Sequence, residues 1–167
     1  MPTDPIEITL SDRAKAILLA GGGIPPFLLA AAAKEIDRQN ELTVGHIQAN
    51  RLSKRGADTL GVVTNRLRLS VRPSKAVIKG NLILSSIGTP VEYAGAHEFG
   101  FEGRVSVAAH TRLRNGDEDD KIQVRAHTRQ MKIKARAPLQ RGIRDRIDRY
   151  GSALSSAIIR SWEERAT

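Results

Sequence analysis

The clearest pattern in this chain is alternation. From Arg104 to Arg114, and again from Lys121 to Ile133, apolar and polar residues take turns. Side chains leave a strand on opposite faces with period two, so both runs predict strands. Between them stand Asn115-Gly116 and the acidic tetrapeptide Asp117-Glu118-Asp119-Asp120. Asn-Gly favours positive φ and marks a turn. Residues 104–134 therefore read as a β-hairpin folded around an acidic turn. Arg66 to Val71 alternates too and predicts a strand. Ala76 to Ile87 is apolar and β-branched, with Gly80-Asn81 available as a turn, so a strand or a hairpin is expected before Thr89-Pro90 breaks it.

Helical spacing dominates elsewhere. Behind Pro138, which suits a helix's first turn, Leu139, Ile143, Ile147, Tyr150, Leu154, Ile158 and Trp162 recur at steps of three and four. They predict one long amphipathic helix, with Gly151 the place for a kink or break. Pro25-Pro26 opens a second helix that runs to Asn40. Residues 43–54 predict a short third one, with Val44, Ile47 and Leu52 facing inward. Ser11 caps a short helix through Leu19, ended by Gly21-Gly22-Gly23. Val91 to Phe99 gives one or two helical turns, closed by Gly100 and Gly103.

The expected fold is α+β. It has a small antiparallel sheet with an extended β-hairpin, N-terminal helices and a long C-terminal amphipathic helix. Residues 1–167 are read as a single domain from which 104–134 projects as an arm.

Charge sharpens this picture. The chain carries 27 Lys and Arg against 18 Asp and Glu, a formal net charge of +9. Such a chain is drawn to polyanions or to an acidic protein face. From Arg104 to Arg149 there are 13 basic and 6 acidic residues, so most of the excess sits in the hairpin and the helix behind it. A fold centred on the acidic turn sets His110 opposite His127 and Arg112 opposite Arg125. One face then gathers Val105, Val107, Ala109, Thr111 and Leu113 with Val124, Ala126 and Thr128. The other gathers His110, Arg112 and Arg114 with Arg125, His127 and Arg129. Like charges across a ladder repel, so the basic face is expected to meet water, counterions or an acidic partner. Two readings stay open: a β edge guarded by basic side chains, or a surface for a neighbouring subunit or DNA.

Several chemistries are set aside. The chain has no cysteine, which removes disulfides, thiolate metal sites and a Cys nucleophile. Two cross-strand histidines offer fewer ligands than zinc needs, and the flanking arginines repel a cation, so no metal is expected. No nucleophile elbow, phosphate-binding loop, zinc-protease helix or dinucleotide fingerprint occurs. His97-Glu98 is an adjacent acid–base pair near glycines, but nothing aligns it with a nucleophile. No catalytic residue and no cofactor is expected, and the chain is not read as an enzyme. Met1 to Leu10 lacks the basic start and apolar run of a signal peptide. The apolar stretch Ile24–Ala33 is too short for a membrane span.

One segment carries a resemblance. Tyr93-Ala94-Gly95-Ala96-His97-Glu98-Phe99-Gly100 resembles a signature of the tail-completion and virion-morphogenesis proteins of tailed bacteriophages. In that family a hairpin follows, here with Val105-Ser106-Val107 and the repeated words Ala109-His110-Thr111-Arg112 and Ala126-His127-Thr128-Arg129. A junction then opens the last helix, here Ala135-Arg136-Ala137-Pro138-Leu139. The match spans residues 88–139, and Gly61 to Val71 looks like the family's segment before its first strands.

The resemblance implies a structural subunit at the neck or upper end of the tail. Such subunits are assembled in the host cytoplasm into a ring, commonly hexameric. The ring completes the tail or joins it to the head. The implied partners are other copies of the chain and neighbouring neck or tail proteins, with nonspecific contact to passing DNA and no membrane. Tyr93, Ala94, His97, Glu98, Phe99 and Gly100 are then the residues that hold the arm's base. His110, Arg112, Arg114, Asp117, Glu118, Asp119, Asp120, Arg125, His127 and Arg129 are its interface. The rival reading is a sequence-nonspecific nucleic-acid-binding module, although the basic face lacks the aromatic platforms on which single strands stack.

Overall fold

The computed structural model describes residues 24–53, 56, 59–61, 65–114 and 117–166. The helix expected over 11–19 and its glycine cap lie outside the described residues. The class is α+β, with helices and small antiparallel two-stranded sheets. The chain forms two compact units. Of the described residues, one takes in 24–45, with 72–88 and 145–166. The other takes in 46–71 and 89–144.

In the first unit the main helices are α1 (Pro26–His46) and α5 (Ile147–Ala166). Pro25 stands just before α1, and its carbonyl accepts the N–H groups of Leu28 and Leu29 at 3.0 and 3.3 Å. Leu28, Leu29, Ala32 and Val44 on α1 are buried, as are Tyr150 and Ala157 on α5. Near one end of the pair, the Phe27 and Trp162 rings lie 6.2 Å apart, and the Arg165 guanidinium sits 4.5 Å over Phe27.

The sequence pattern ends α1 at Asn40, but the helix continues to His46. The reason is a buried polar seam. Glu35, Gln39, Asn40, Thr43 and Arg146 are all at least nine-tenths buried. The Thr43 hydroxyl donates to Gln39 O (2.8 Å) and accepts from Arg146 Nε (3.1 Å) and the Tyr150 hydroxyl (3.0 Å). Arg146 Nη2 reaches Gln39 Oε1 at 3.3 Å, and Gln39 Nε2 donates to Glu35 Oε1 at 2.8 Å. The Tyr150 hydroxyl has a single proton, shared between Thr43 Oγ1 and the closer Asn40 Oδ1 at 2.7 Å, while Asn40 Nδ2 donates to the Ser85 hydroxyl. A hydroxyl offers one donor and two acceptor positions, and Thr43 uses all three. Burial raises the Tyr150 pKa, although the Thr43 hydrogen bond and the Arg146 charge act the other way.

The same seam corrects the C-terminal helix. The spacing predicts one long helix from Pro138, with Gly151 the place for a kink or break. Instead α4 (Pro138–Arg144) and α5 are separated at Asp145-Arg146, and α5 runs straight through Gly151. The break accompanies the inward placement of Arg146 on the seam.

Between these helices in sequence lies the expected hairpin. Strands β2 (Val77–Lys79) and β3 (Leu82–Leu84) pair Val77 with Leu84 and Lys79 with Leu82. Gly80 turns with φ +59°, a value that suits glycine. The flanking β1 (Arg72–Pro73) and β4 (Ile87–Gly88) pair in turn. Asp37 of α1 fixes the start of β2, accepting the Ala76 N–H at 2.7 Å.

In the second unit, a π-helical turn (Ile47–Arg51) succeeds α1, where a separate helix over 43–54 was expected. Val44, Ile47 and Leu52 are nonetheless buried, as their spacing predicted. Ile47 is fully buried, and Gly142 of α4 lies against it. A β-carbon on Gly142 would come within 2.3 Å of Ile47 Cγ1, so this glycine sets how closely α4 approaches. Arg66–Ser70 is a short helix, α2, and not the predicted strand. Asn65, with φ +57°, leads into it, and no described strand pairs with it. The Ser70 hydroxyl donates to Leu67 O at 2.8 Å and lies 2.6 Å from Thr89 Oγ1. Such side-chain bonds favour a turn over an unpaired strand.

Replacing Thr43 by valine keeps its shape but strips three hydrogen bonds from a fully buried site. We expect a loss of about 1–3 kcal/mol, measured by urea denaturation, with the secondary-structure content unchanged.

Candidate functional site

The Tyr93–Gly100 segment forms a short helix, α3 (Ala94–Phe99), followed by Gly100 with φ +81°. A β-carbon at Gly100 would sit 3.2 Å from both Ala135 N and Ile133 O, so only glycine fits this crossing. Gly103, expected to close the helical segment, lies inside β5 (Phe101–Val107). The Tyr93 ring meets His97 edge-on, with centroids 6.1 Å apart. Ala94 is half-buried, while Tyr93 and Phe99 are exposed.

The two central residues bind the segment that follows the hairpin. The His97 carbonyl accepts the N–H groups of Arg136 (2.8 Å) and Ala137 (3.1 Å). The Glu98 carboxylate accepts those of Leu139 (Oε2, 3.0 Å) and Gln140 (Oε1, 2.8 Å). These are free N–H groups in the first turn of α4, and Pro138 has none to offer. Glu98 therefore caps α4 from about forty residues away, with its negative charge at the positive end of the helix dipole. The cap is absent from the local sequence because Ala137 cannot supply it. Pro138 was the one available signal of a helix start in need of acceptors.

Burial lowers the His97 pKa, and the positive charge of Arg136 lowers it further. His97 Nδ1 and Arg136 Nε are both buried without a hydrogen-bond partner among the described residues. The neutral imidazole is the form this position favours.

From this base rise β5, β6 (His110–Arg114), β7 (Asp117–Val124) and β8 (His127–Ile133). The expected hairpin forms, but in a different register. Val107 pairs with His127, Val105 with Arg129, His110 with Val124 and Arg112 with Ile122. The predicted pairs His110–His127 and Arg112–Arg125 do not form. The basic and apolar residues of the two strands therefore share faces, and the single basic face disappears. An odd shift in register has this effect because side chains alternate.

The cause lies at the tip. Arg114 pairs with Asp117, which closes a two-residue connection at 115–116, outside the described residues. One step down the ladder, Leu113 pairs with Lys121. Glu118, Asp119 and Asp120 thus form a bulge with no residue opposite. The acidic tetrapeptide belongs to strand β7 and is not the turn itself.

The repeated words occupy matching places. The ladder is interrupted at 108–109 and at 125–126, directly across from each other. There His110 Nδ1 donates to Ala108 O and His127 Nδ1 to Arg125 O, both at 2.9 Å. Repetition in sequence becomes repetition in structure, and the two histidines serve their own strands. Arg112, Arg125 and Arg129 are exposed, and no described side chain from 101 to 133 is buried. Lys132 and Glu102 make an exposed ion pair at 2.8 Å across the base, a contact of small net value.

Among the described residues, no three His, Asp or Glu side chains gather as metal ligands, and no helix is long and apolar enough to cross a membrane. Comparison with family models, curated proteins and solved structures finds no match to this chain.

Removing the cap by Glu98→Ala is expected to cost about 1–2 kcal/mol, read by thermal denaturation at neutral pH. A second measurement follows from His97. Its folded pKa is depressed, so its contribution is present above the ordinary value near 6.5 and is lost as pH falls through the folded value. The melting temperature of the wild type should drop over this acid range, and His97→Gln should flatten that limb. An unchanged acid limb in the variant would remove His97 as its source.

Proposed function

We propose that this chain is a non-enzymatic structural subunit of a tailed-phage particle. It works as one member of a ring, commonly hexameric in the family it resembles, at the neck or upper end of the tail. There it completes the tail or joins it to the head. The observation that carries this reading is the arm. A strand pair of about 45 Å, at roughly 3.3 Å per residue, buries no described side chain in its own subunit. It is nevertheless anchored at its base through His97, Glu98 and Gly100. A flexible tether needs no such anchoring. A part that must meet a neighbour in a set direction does.

The distribution of basic side chains weighs against the nucleic-acid reading. Groove binders gather cations along one track, whereas Arg112 and Arg129 lie in a ladder that mixes them with Val105 and Ile122.

The test is to image purified particles and particles assembled without this chain. A ring at the head–tail junction, with unjoined heads and tails in its absence, is the expected result. Normal, infectious particles lacking the chain would overturn the reading.

A further inference from the structure

The distal part of the arm, β6 with β7, is a two-stranded ladder that no third described strand joins. Each strand therefore turns half of its N–H and C=O groups to an open edge. Open edges are templates for pairing, and an isolated two-stranded ribbon has little stability of its own. The two edges also differ in sign. Strand β6 carries Arg112 and Arg114 and no acid. Strand β7 carries Asp117, Glu118, Asp119 and Asp120 against the single Lys121.

In the backbone register Arg114 pairs with Asp117 and Arg112 with Ile122, and positions 118–120 have no paired position on β6. The proximal strands lack the contrast: β5 holds Glu102 and Arg104, and β8 holds Arg129 and Lys132.

Opposite edges select one way of pairing copies. A two-fold arrangement lays β6 on β6 or β7 on β7, like charge on like. Setting β7 of one copy beside β6 of the next brings acid to base. When the hairpins point the same way, those two strands are also antiparallel, so the ladder continues. Such a contact is heterologous and propagates around a ring.

We propose that the distal arms of neighbouring copies pair edge to edge, β7 of one against β6 of the next, in a continuous antiparallel sheet. This deepens the ring reading and rests on it for its setting. The partner is a second copy of this chain.

Charge exchange in the purified full-length chain tests it. One variant carries Arg112→Glu with Arg114→Glu. The other carries lysine at 117, 118, 119 and 120. Far-UV circular dichroism checks that each folds, and sedimentation reads assembly. Wild type should associate at low salt, and each variant alone should associate at least about tenfold more weakly. An equimolar mixture should recover, because the reversed β6 edge of one variant then meets the reversed β7 edge of the other, and their two unreversed edges meet in turn, each contact joining opposite signs. The chain with all six reversals should assemble by itself like wild type, which guards against simple misfolding.

Wild-type-like assembly of both variants alone would overturn the edge assignment and leave the ring reading standing. A mixture that stays dissociated, or a wild type monomeric to its solubility limit, would also overturn it. Recovery in the mixture, for a chain absent from particles, would uphold the pairing and overturn the phage setting.

Discussion

A single carboxylate organises the second unit. Glu98 holds the first free N–H groups of α4, and through them it ties the end of the arm to its beginning. The arm leaves at Gly100 and returns at Ile133, and the two ends cross where only a glycine fits. Without an acceptor at that point, α4 would start with bare donors beside a proline. The neighbouring His97 carbonyl takes the two N–H groups just before them. Four of the five residues from Arg136 to Gln140, all but the proline, are thus bound by two adjacent residues of the leaving chain. The direction of the arm follows from that arrangement.

The first unit is held on a different principle. Its two long helices meet through hydroxyls, amides and a guanidinium, with aliphatic side chains on either side. Each polar group there has partners, so burial does not leave it stranded. Such an interface tolerates little sliding, because moving one helix by a turn would break several bonds together. The inward turn of Arg146 comes just after the end of α4, so a helix boundary and a unit boundary fall at the same place in the chain.

Much of the architecture was legible in the sequence. Gly80-Asn81 marked the short hairpin, Pro138 marked the start of α4, and alternation marked the strands of the arm. The inward side of Val44, Ile47 and Leu52 was legible from spacing alone. What could not be read were features that depend on residues distant in sequence. A three-residue bulge reset the register of the arm, and nothing in the alternation announced it. Gln39, Asn40, Thr43 and Arg146 are residue types that hydropathy places on a surface, yet they line the seam. Arg66 to Val71 alternates, but Arg66–Ser70 coils into a short helix, and alternation over five residues does not tell the two apart. Glu98 stands in the sequence as part of a motif, while its role as a cap depends on a helix start about forty positions further on.

The paired interruptions of the arm carry a mechanical consequence. Ladder bonds resist bending, and they are missing at the same height on both strands, at 108–109 and 125–126. The arm therefore has a wrist. The forearm below it is fixed by the anchored base, and the hand above it can tilt without breaking a rung. A chain built this way can hold the base of its arm in place while the tip changes its angle.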